Sequence, residues 1–441
     1  MNQYKPYPKY KDSGIVWIES VPEHWKVSRL KFLISQCQNG VWGDDPLEDG
    51  TDTLCIRVAD FDRENLKVID RPSTYRQINS EHRESRLVSK GDILLEKSGG
   101  GEKTLVGANV QYLGNENAVC SNFVAVIKPS EKVNASWLNY LMSAMYSRKI
   151  NLKSIKQATG IQNLDSEQYL DEAIAYPPKE EQNKISDAIS REISRIDTLI
   201  TKKTHFIDLL KEKRQALITH AVTKGLNSKV KMKDSGVEWI GEVPEHWEII
   251  SGNRLFSESK QLAFENDQHL SATQKYGVIP LEEFQELEGR RVTQAVKNLE
   301  KRKHARINDF VISMRSFQGG IERVKANGCV RSSYVVLKPT PASHVGYFTY
   351  LFKSITYIQG LQATSMFIRD GQDLSYNNFR QVKVPCPSVS EQTQIADFLD
   401  KAIKSIDMLI TKTQKSIDLL KERRSAFITA AVTGQIDLRG E

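Results

Sequence analysis

Residues 181–223, EQNKISDAISREISRIDTLITKKTHFIDLLKEKRQALITHAVT, return as residues 391–433, EQTQIADFLDKAIKSIDMLITKTQKSIDLLKERRSAFITAAVT. The copies stand 210 positions apart, agree at about 24 of 43 positions, and contain neither Gly nor Pro. One structural unit is therefore used twice. Ile189, Ile193, Ile196, Ile200, Ile207, Leu210 and Leu217 fall on a 4-3 spacing, which Leu399, Ile403, Ile406, Ile410, Ile417, Leu420 and Phe427 repeat. Such spacing is the seam of a coiled coil, with charged residues on the outward faces. Each helix should run about 60 Å at ~1.5 Å per residue, and two such seams in one chain are expected to pair antiparallel. The seam is broken at Lys203 and Arg214 and again at Thr413 and Arg424. A recurrent Arg either fixes the pairing or merely carries its guanidinium to the edge; the second is the plainer reading.

Working outward, KDSGIVWIESVPEHW at 11–25 recurs as KDSGVEWIGEVPEHW at 233–247. The chain is thus two tandem halves, 1–225 and 226–441, each with an opening segment, a globular region and a long helix. The boundaries read as 1–25, a first head over 26–176, a first helix over 177–225, the repeated segment over 226–247, a second head over 248–385, and a second helix with its tail over 386–441. Strand-like runs in the first head are Thr53 to Phe61, Asp92 to Lys97, Leu105 to Leu113 and Ala118 to Lys128, with a helix from Ala135 to Arg148. In the second head, Asp309 to Arg315, Ile321 to Lys325 and Cys329 to Lys338 read as strands and His344 to Ile358 as the matching helix. The expected fold is two α/β heads related by a pseudo-twofold, joined to an antiparallel pair of long helices. The heads share a plan but little sequence, as suits two different contact surfaces.

Composition excludes several function classes. A net charge of +7 over 441 residues leans basic without diagnosing nucleic-acid binding. Cys37, Cys55, Cys120, Cys329 and Cys386 are scattered, with no metal-ligand spacing, so a reducing cytoplasm and no structural metal are expected. No apolar run approaches the ~18 residues of a membrane span, and MNQYKPYPKYKD lacks the apolar core of a signal peptide. His24 and His246 have no nucleophile beside them and read as packing or hydrogen-bonding residues. Ser98-Gly99-Gly100-Gly101-Glu102-Lys103-Thr104 places Glu102 where a phosphate-binding loop needs its last glycine. Neither paired carboxylates nor a nucleophile elbow occurs.

The repeated KDSGxxWIxxVPEHW segment, the helix starts at Pro177, Pro178, Glu181 and Gln182 and at Pro387, Glu391 and Gln392, and the IDxLLKExR…ITxAVT helix together resemble the specificity (S) subunit of a type I restriction and modification enzyme. The resemblance covers the whole chain. It implies that each head is a target recognition domain reading one half of a split, asymmetric sequence in double-stranded DNA. It further implies that the helices set the gap between half-sites and dock two methyltransferase (M) subunits, through which restriction (R) subunits join. S-adenosylmethionine would reside on M and ATP with Mg on R; this chain would carry no cofactor and no catalytic residue. An adenine methyltransferase would show Asn/Asp-Pro-Pro-Tyr/Phe, whereas Ala175-Tyr176-Pro177-Pro178-Lys179 lacks both flanking residues. A non-catalytic adaptor whose heads bind proteins is the alternative.

Three groups of residues are candidate DNA contacts. Lys97, Ser98, Gly99, Gly100 and Lys103 follow a strand in the first head, and Arg315, Ser316, Gln318 and Gly319, with Arg323 nearby, follow one in the second. Glycines let backbone N–H groups approach phosphate, and Arg or Gln can reach base edges. Lys156, Gln157 and Thr159, matched by Arg369, lie after the domain helix, where either base reading or backbone positioning would suit them. The basic residues Arg83 and Arg86, and Arg302 and Lys303, are candidates for phosphate neutralisation.

Overall fold

The computed structural model describes residues 4–99, 104–158, 160–291, 299–313, 316–364 and 375–440. Two helices dominate, Lys179–Lys224 of 46 residues and Val389–Val432 of 44. Each follows directly on a proline-containing segment, and each is followed by a glycine in the left-handed region, Gly225 at φ +74° and Gly434 at φ +73°. That conformation ends a helix, and glycine adopts it without steric cost. The glycines are also needed for space, because a Cβ on Gly434 would stand 2.4 Å from Pro22 and one on Gly225 3.2 Å from the Trp247 ring.

The chain forms two compact units, Met1–Lys203 with Lys415–Glu441, and Thr204–Gln414. The division falls inside both long helices rather than at 225, where the sequence repeat divides the chain. The cause is the antiparallel pairing, which places the leading part of one helix beside the trailing part of the other within each unit. In the first unit Glu192 meets Arg423 at 2.9 Å and Asp197 meets Arg424 at 3.6 Å. In the second, Arg214 meets Asp407 at 3.2 Å. The two arginines that interrupt the seam each meet a carboxylate of the opposite helix, Arg214 with its side chain 38% exposed and Arg424 with its side chain 12% exposed. Along the seam Ile189, Ile196, Ile207, Leu210, Leu399, Ile403, Ile406, Ile417 and Phe427 are buried, and Ile193, Ile200, Leu217, Ile410 and Leu420 are half-buried.

The repeated opening segment closes onto the start of its unit's long helix. Trp25 and Trp247 are fully buried, and their indole N–H groups donate to Glu181 and Glu391 at 3.0 Å each. His24 and His246 meet the same carboxylates at 2.7 and 2.9 Å. The next residue of each helix is a buried amide. Gln182 donates to the Pro177 carbonyl at 2.9 Å and accepts from the backbone N–H of Asn134 at 2.9 Å. Gln392 donates to Pro387 at 2.9 Å and to Ala342 at 3.1 Å, and accepts from the N–H of His344 at 2.7 Å. Since an unpaired buried amide would cost about 1–3 kcal/mol, Glu-Gln at this place ties each head's main helix to its long helix.

The first head centres on a six-stranded sheet in the order Ile34–Asn39, Val124–Pro129, Ile93–Glu96, Asn109–Gln111, Lys67–Val68, Phe61–Asp62. The helix Ala135–Ser147 buries Trp137, Leu138, Leu141, Met142 and Met145 beside it. The run Ala118 to Lys128, expected as one strand, is two: the N–H of Val124 returns to the Ser121 carbonyl at 3.0 Å. That turn sends Ala118–Cys120 to a second sheet with Thr53–Ile56 and Tyr75–Arg76. The second head has a four-stranded sheet in the order Phe256–Ser259, Val335–Pro339, Phe310–Ile312, Glu322–Arg323. Its expected single helix, His344 to Ile358, is also two, Val345–Leu351 and Ile355–Ala363. The Ser354 hydroxyl accepts the N–H of Tyr357 and caps the second piece. Among the described residues no helix is long and apolar enough to cross a membrane.

Candidate nucleic-acid interface

In the first head, two candidate segments some sixty positions apart in sequence come together in one small sheet. Its strand order is Ser98–Gly99, Ile161–Leu164, Ile155–Ala158, with Ser98 opposite Asn163 and Gln157 opposite Gln162. The hydroxyl of Ser98 bonds the Asn163 side chain. Lys156 and Gln157 are exposed on the outer strand, where the Lys156 ammonium meets Asp165 at 2.7 Å. The hydrogen bond to Asp165 holds the lysine above its ordinary pKa and the carboxyl below its own.

Just before this sheet, Lys97 gives its ammonium to the Asn39 side-chain carbonyl at 2.6 Å. Arg86 donates to the backbone carbonyls of Asn39 at 2.7 Å and Gly40 at 2.9 Å. Both cations thus rest on neutral oxygens, which orient them without cancelling their charge. They line one open cleft with Asp165 and Glu167 at the start of the helix Ser166–Leu170. Arg83 is exposed on the neighbouring helix Ser80–Ser85. This arrangement offers positive charge and backbone edges to a polyanion, the chemistry of phosphate positioning. Asn39, on which Lys97 and Arg86 converge, escaped sequence reasoning, since nothing local marks an asparagine as the seat of two distant cations.

The second head places its candidates differently. Ser316 opens a short helix, Ser316–Gly319, rather than a loop, and it is fully buried, its hydroxyl accepting the N–H of Ser313 at 2.9 Å. Arg302 is buried beside Cys329, whose thiol is pushed up by burial and eased down by that guanidinium. Both expectations of surface contact are corrected on the same ground, that the side chains are spent inside the fold. Lys303 donates to the Tyr334 carbonyl at 2.6 Å, and Arg323 donates to the Asn308 side chain at 2.7 and 3.2 Å. Gln318 is exposed, and the carbonyl of Gly319 is held by Lys353 at 2.9 Å. Gly100, Lys103, Thr159, Arg315 and Arg369 lie outside the described residues.

The family model described as the type I restriction modification DNA specificity domain matches this chain twice, over residues 22–207 and 244–419. The chain therefore belongs to that family and is a specificity subunit carrying two copies of its domain. It is 22% identical to the putative type I restriction enzyme MjaX specificity subunit of Methanocaldococcus jannaschii, with 96% of each chain covered. It is 23% identical to the type I restriction enzyme MjaVIII specificity subunit of the same organism, over 95% of this chain and 94% of the relative. Among solved structures, a chain from work on complex assembly and conformational transition of the type I R-M system aligns with a TM-score of 0.67 at 15% identity, covering 93% of this chain and 98% of that one. The HsdS subunit from Thermoanaerobacter tengcongensis aligns with a TM-score of 0.55 at 16% identity, covering 94% of this chain and 98% of its own.

Proposed function

We propose that this specificity subunit selects a bipartite, asymmetric DNA sequence, each head reading one half-site while the helix pair fixes the spacer. The observation that carries the reading is one DNA specificity domain present twice, with the Trp and His contacts to the glutamate at each helix start repeated and the candidate DNA contacts unlike. Lys97, Arg86 and Lys156 present cations in the first head, where the second presents Gln318 and Arg323. A shared mount with different contact residues is what two unlike half-sites require. The chain brings no catalytic group of its own; it recruits methyltransferase subunits that use S-adenosylmethionine on adenine, and through them ATP-driven restriction subunits. Phosphate contacts by the cations fix register, and base edges supply the discrimination.

Insertion of one heptad into each long helix tests the reading. Seven residues at ~1.5 Å add about 10 Å, close to 3 base pairs at ~3.4 Å each. Methylome sequencing of cells carrying the subunit with its methyltransferase partner should report both half-sites unchanged and a gap longer by about that amount. Altered half-sites with an unchanged gap would refute it.

A further inference from the structure

An open cleft of about 480 Å³ in the first head has none of Lys97, Arg86 and Lys156 in its lining. Trp42 and Phe123 line it with rings that are 38% and 49% exposed. Ser121 and Glu96 also line it, each only 2% exposed. The Ser121 hydroxyl oxygen is shut off from solvent and has no hydrogen-bond partner among the described residues. Nε of Arg57, another lining group, is likewise buried without a hydrogen bond, its carboxylate neighbour Asp60 standing 3.6 Å away. Native proteins rarely leave such groups orphaned, so two in one cleft ask for an occupant. Ser98 and Gly99 form part of the lining, which joins the cleft to the small sheet of the candidate interface.

We propose that this cleft receives one unstacked nucleobase from the half-site read by the first head. The inference rests on the DNA-reading function and adds how one position is read. Two exposed rings suit the faces of a planar heterocycle, and hidden polar atoms suit its pairing edge. Arg57 and Ser121 can donate, and Oε1 of Glu96 can accept while Arg63 holds Oε2 at 2.8 Å, a set that fits a base with an exocyclic amine beside a ring-nitrogen acceptor, as in cytosine or adenine. Groups only 2% exposed lie too deep for a base still stacked in a groove; the base itself must enter. At the 210-residue offset of the long helices, Arg331 and Ser333, both exposed, stand where Ser121 and Phe123 do, so these two positions repeat neither the hidden hydroxyl nor the ring.

The test uses the full chain assembled with its methyltransferase partner and duplexes carrying the site found by methylome sequencing. Each base pair of the first half-site is replaced in turn by a mismatch that keeps one strand's base. Extruding a base costs a few kcal/mol, least when it is already unpaired. At one position, therefore, the mismatched duplex should bind roughly tenfold more tightly than the paired one, and the base left opposite the replacement should become reactive to reagents specific for unpaired bases. The double variant Trp42→Ala/Phe123→Ala should abolish both effects, and Ser121→Ala should weaken them; cooperative melting shows that each is folded. Sequence-selective binding with neither a mismatch preference nor a reactive base at any position overturns the pocket. Loss of all sequence selectivity in the unaltered complex would instead overturn the DNA-reading function itself. Free nucleosides that bind the chain and protect Trp42, with no effect in duplex, also count against an extruded base.

Discussion

Glu181 and Glu391 hold the same place in the repeat, yet the first is the more enclosed. Glu181 accepts from Trp25, His24 and Tyr7 and its side chain is 8% exposed, whereas Glu391 accepts from Trp247 and His246 and is 26% exposed. The extra cover comes from both ends of the chain. Tyr7 adds its hydroxyl at 2.7 Å, Arg439 lies 4.9 Å over the Tyr7 ring, and Ile436 and Leu438 are buried in the same core. Burial and the Glu181 carboxylate push the Tyr7 hydroxyl pKa far up, so it remains a donor throughout the working pH range. The buried acceptor and its two ring donors are thus common to both units, while what shields them is not. If that division is right, removing a shared ring donor should cost both units alike, whereas removing the acceptor, which is shared but unequally shielded, should not. Trp25→Ala and Trp247→Ala should each lose about 3–5 kcal/mol, the range for a fully buried large aromatic. Glu181→Ala should lose about 3 kcal/mol and Glu391→Ala about half as much, because more buried donors are left unpaired in the first unit. Denaturant midpoints measured at constant slope decide this; equal losses for the two glutamates would break the comparison.

The heads differ more, and each has a buried carboxylate with its own cation. Glu96 pairs with Arg63 at 2.8 Å in the first, and Glu322 pairs with Lys353 in the second. Burial raises both, opposed by the partner cation; Glu322 is pushed up to about 7, with Lys353 and Lys325 pulling it back. An unfolded glutamate releases its proton near pH ~4.3, so between there and about pH 7 the folded chain holds a proton that the unfolded chain has lost. Folding then takes up a proton, and the stability contributed by this group falls as pH rises through that window and levels off beyond it. At ~1.36 kcal/mol per pKa unit the change is on the order of 4 kcal/mol at most. Glu322→Gln keeps an acceptor for Lys353 and should flatten the dependence of Tm on pH between 5 and 7. Identical slopes in the variant and the unaltered chain would show that Lys353 already neutralises the burial.

How much of this was legible in the sequence follows the range of the contacts. The 4-3 spacing is local, so the long helices are legible in the sequence, their expected starts at 177 and 386 standing against Lys179 and Val389. The strand run through Ser121 and the helix run through Ser354 were read as continuous because apolar periodicity persists across both breaks. Single backbone and side-chain bonds, Val124 to Ser121 and Tyr357 to Ser354, decided otherwise. Lys97 and Lys156 could be named singly but not joined, since the strand between them in space, Ile161–Leu164, pairs with both. Ser316 and Arg302 misled because residue type reports what a side chain can do, and burial decides whether it meets solvent.

The smallest expected effect concerns the arginines that interrupt the seam. Arg214 and Asp407 are 38% and 54% exposed at 3.2 Å, whereas Arg424 is 12% exposed and meets Asp197 at 3.6 Å. An exposed ion pair yields about 0.2–1 kcal/mol in a double-mutant cycle, and Arg214 with Asp407 should fall in that range and weaken with salt. Arg424 is in the less favourable position, because its Nε is buried without a hydrogen bond among the described residues. Asp197 is 37% exposed and can return to water when its partner is removed, so losing the pair is offset by no longer burying an unpaired Nε. Arg424→Met should therefore leave stability unchanged or raise it by about 1 kcal/mol, while Arg214→Met should lower it slightly. If Arg424→Met instead costs as much as a core truncation, the arginine is required for the pairing itself, and the equivalent positions of the two helices have parted in role as well as in exposure.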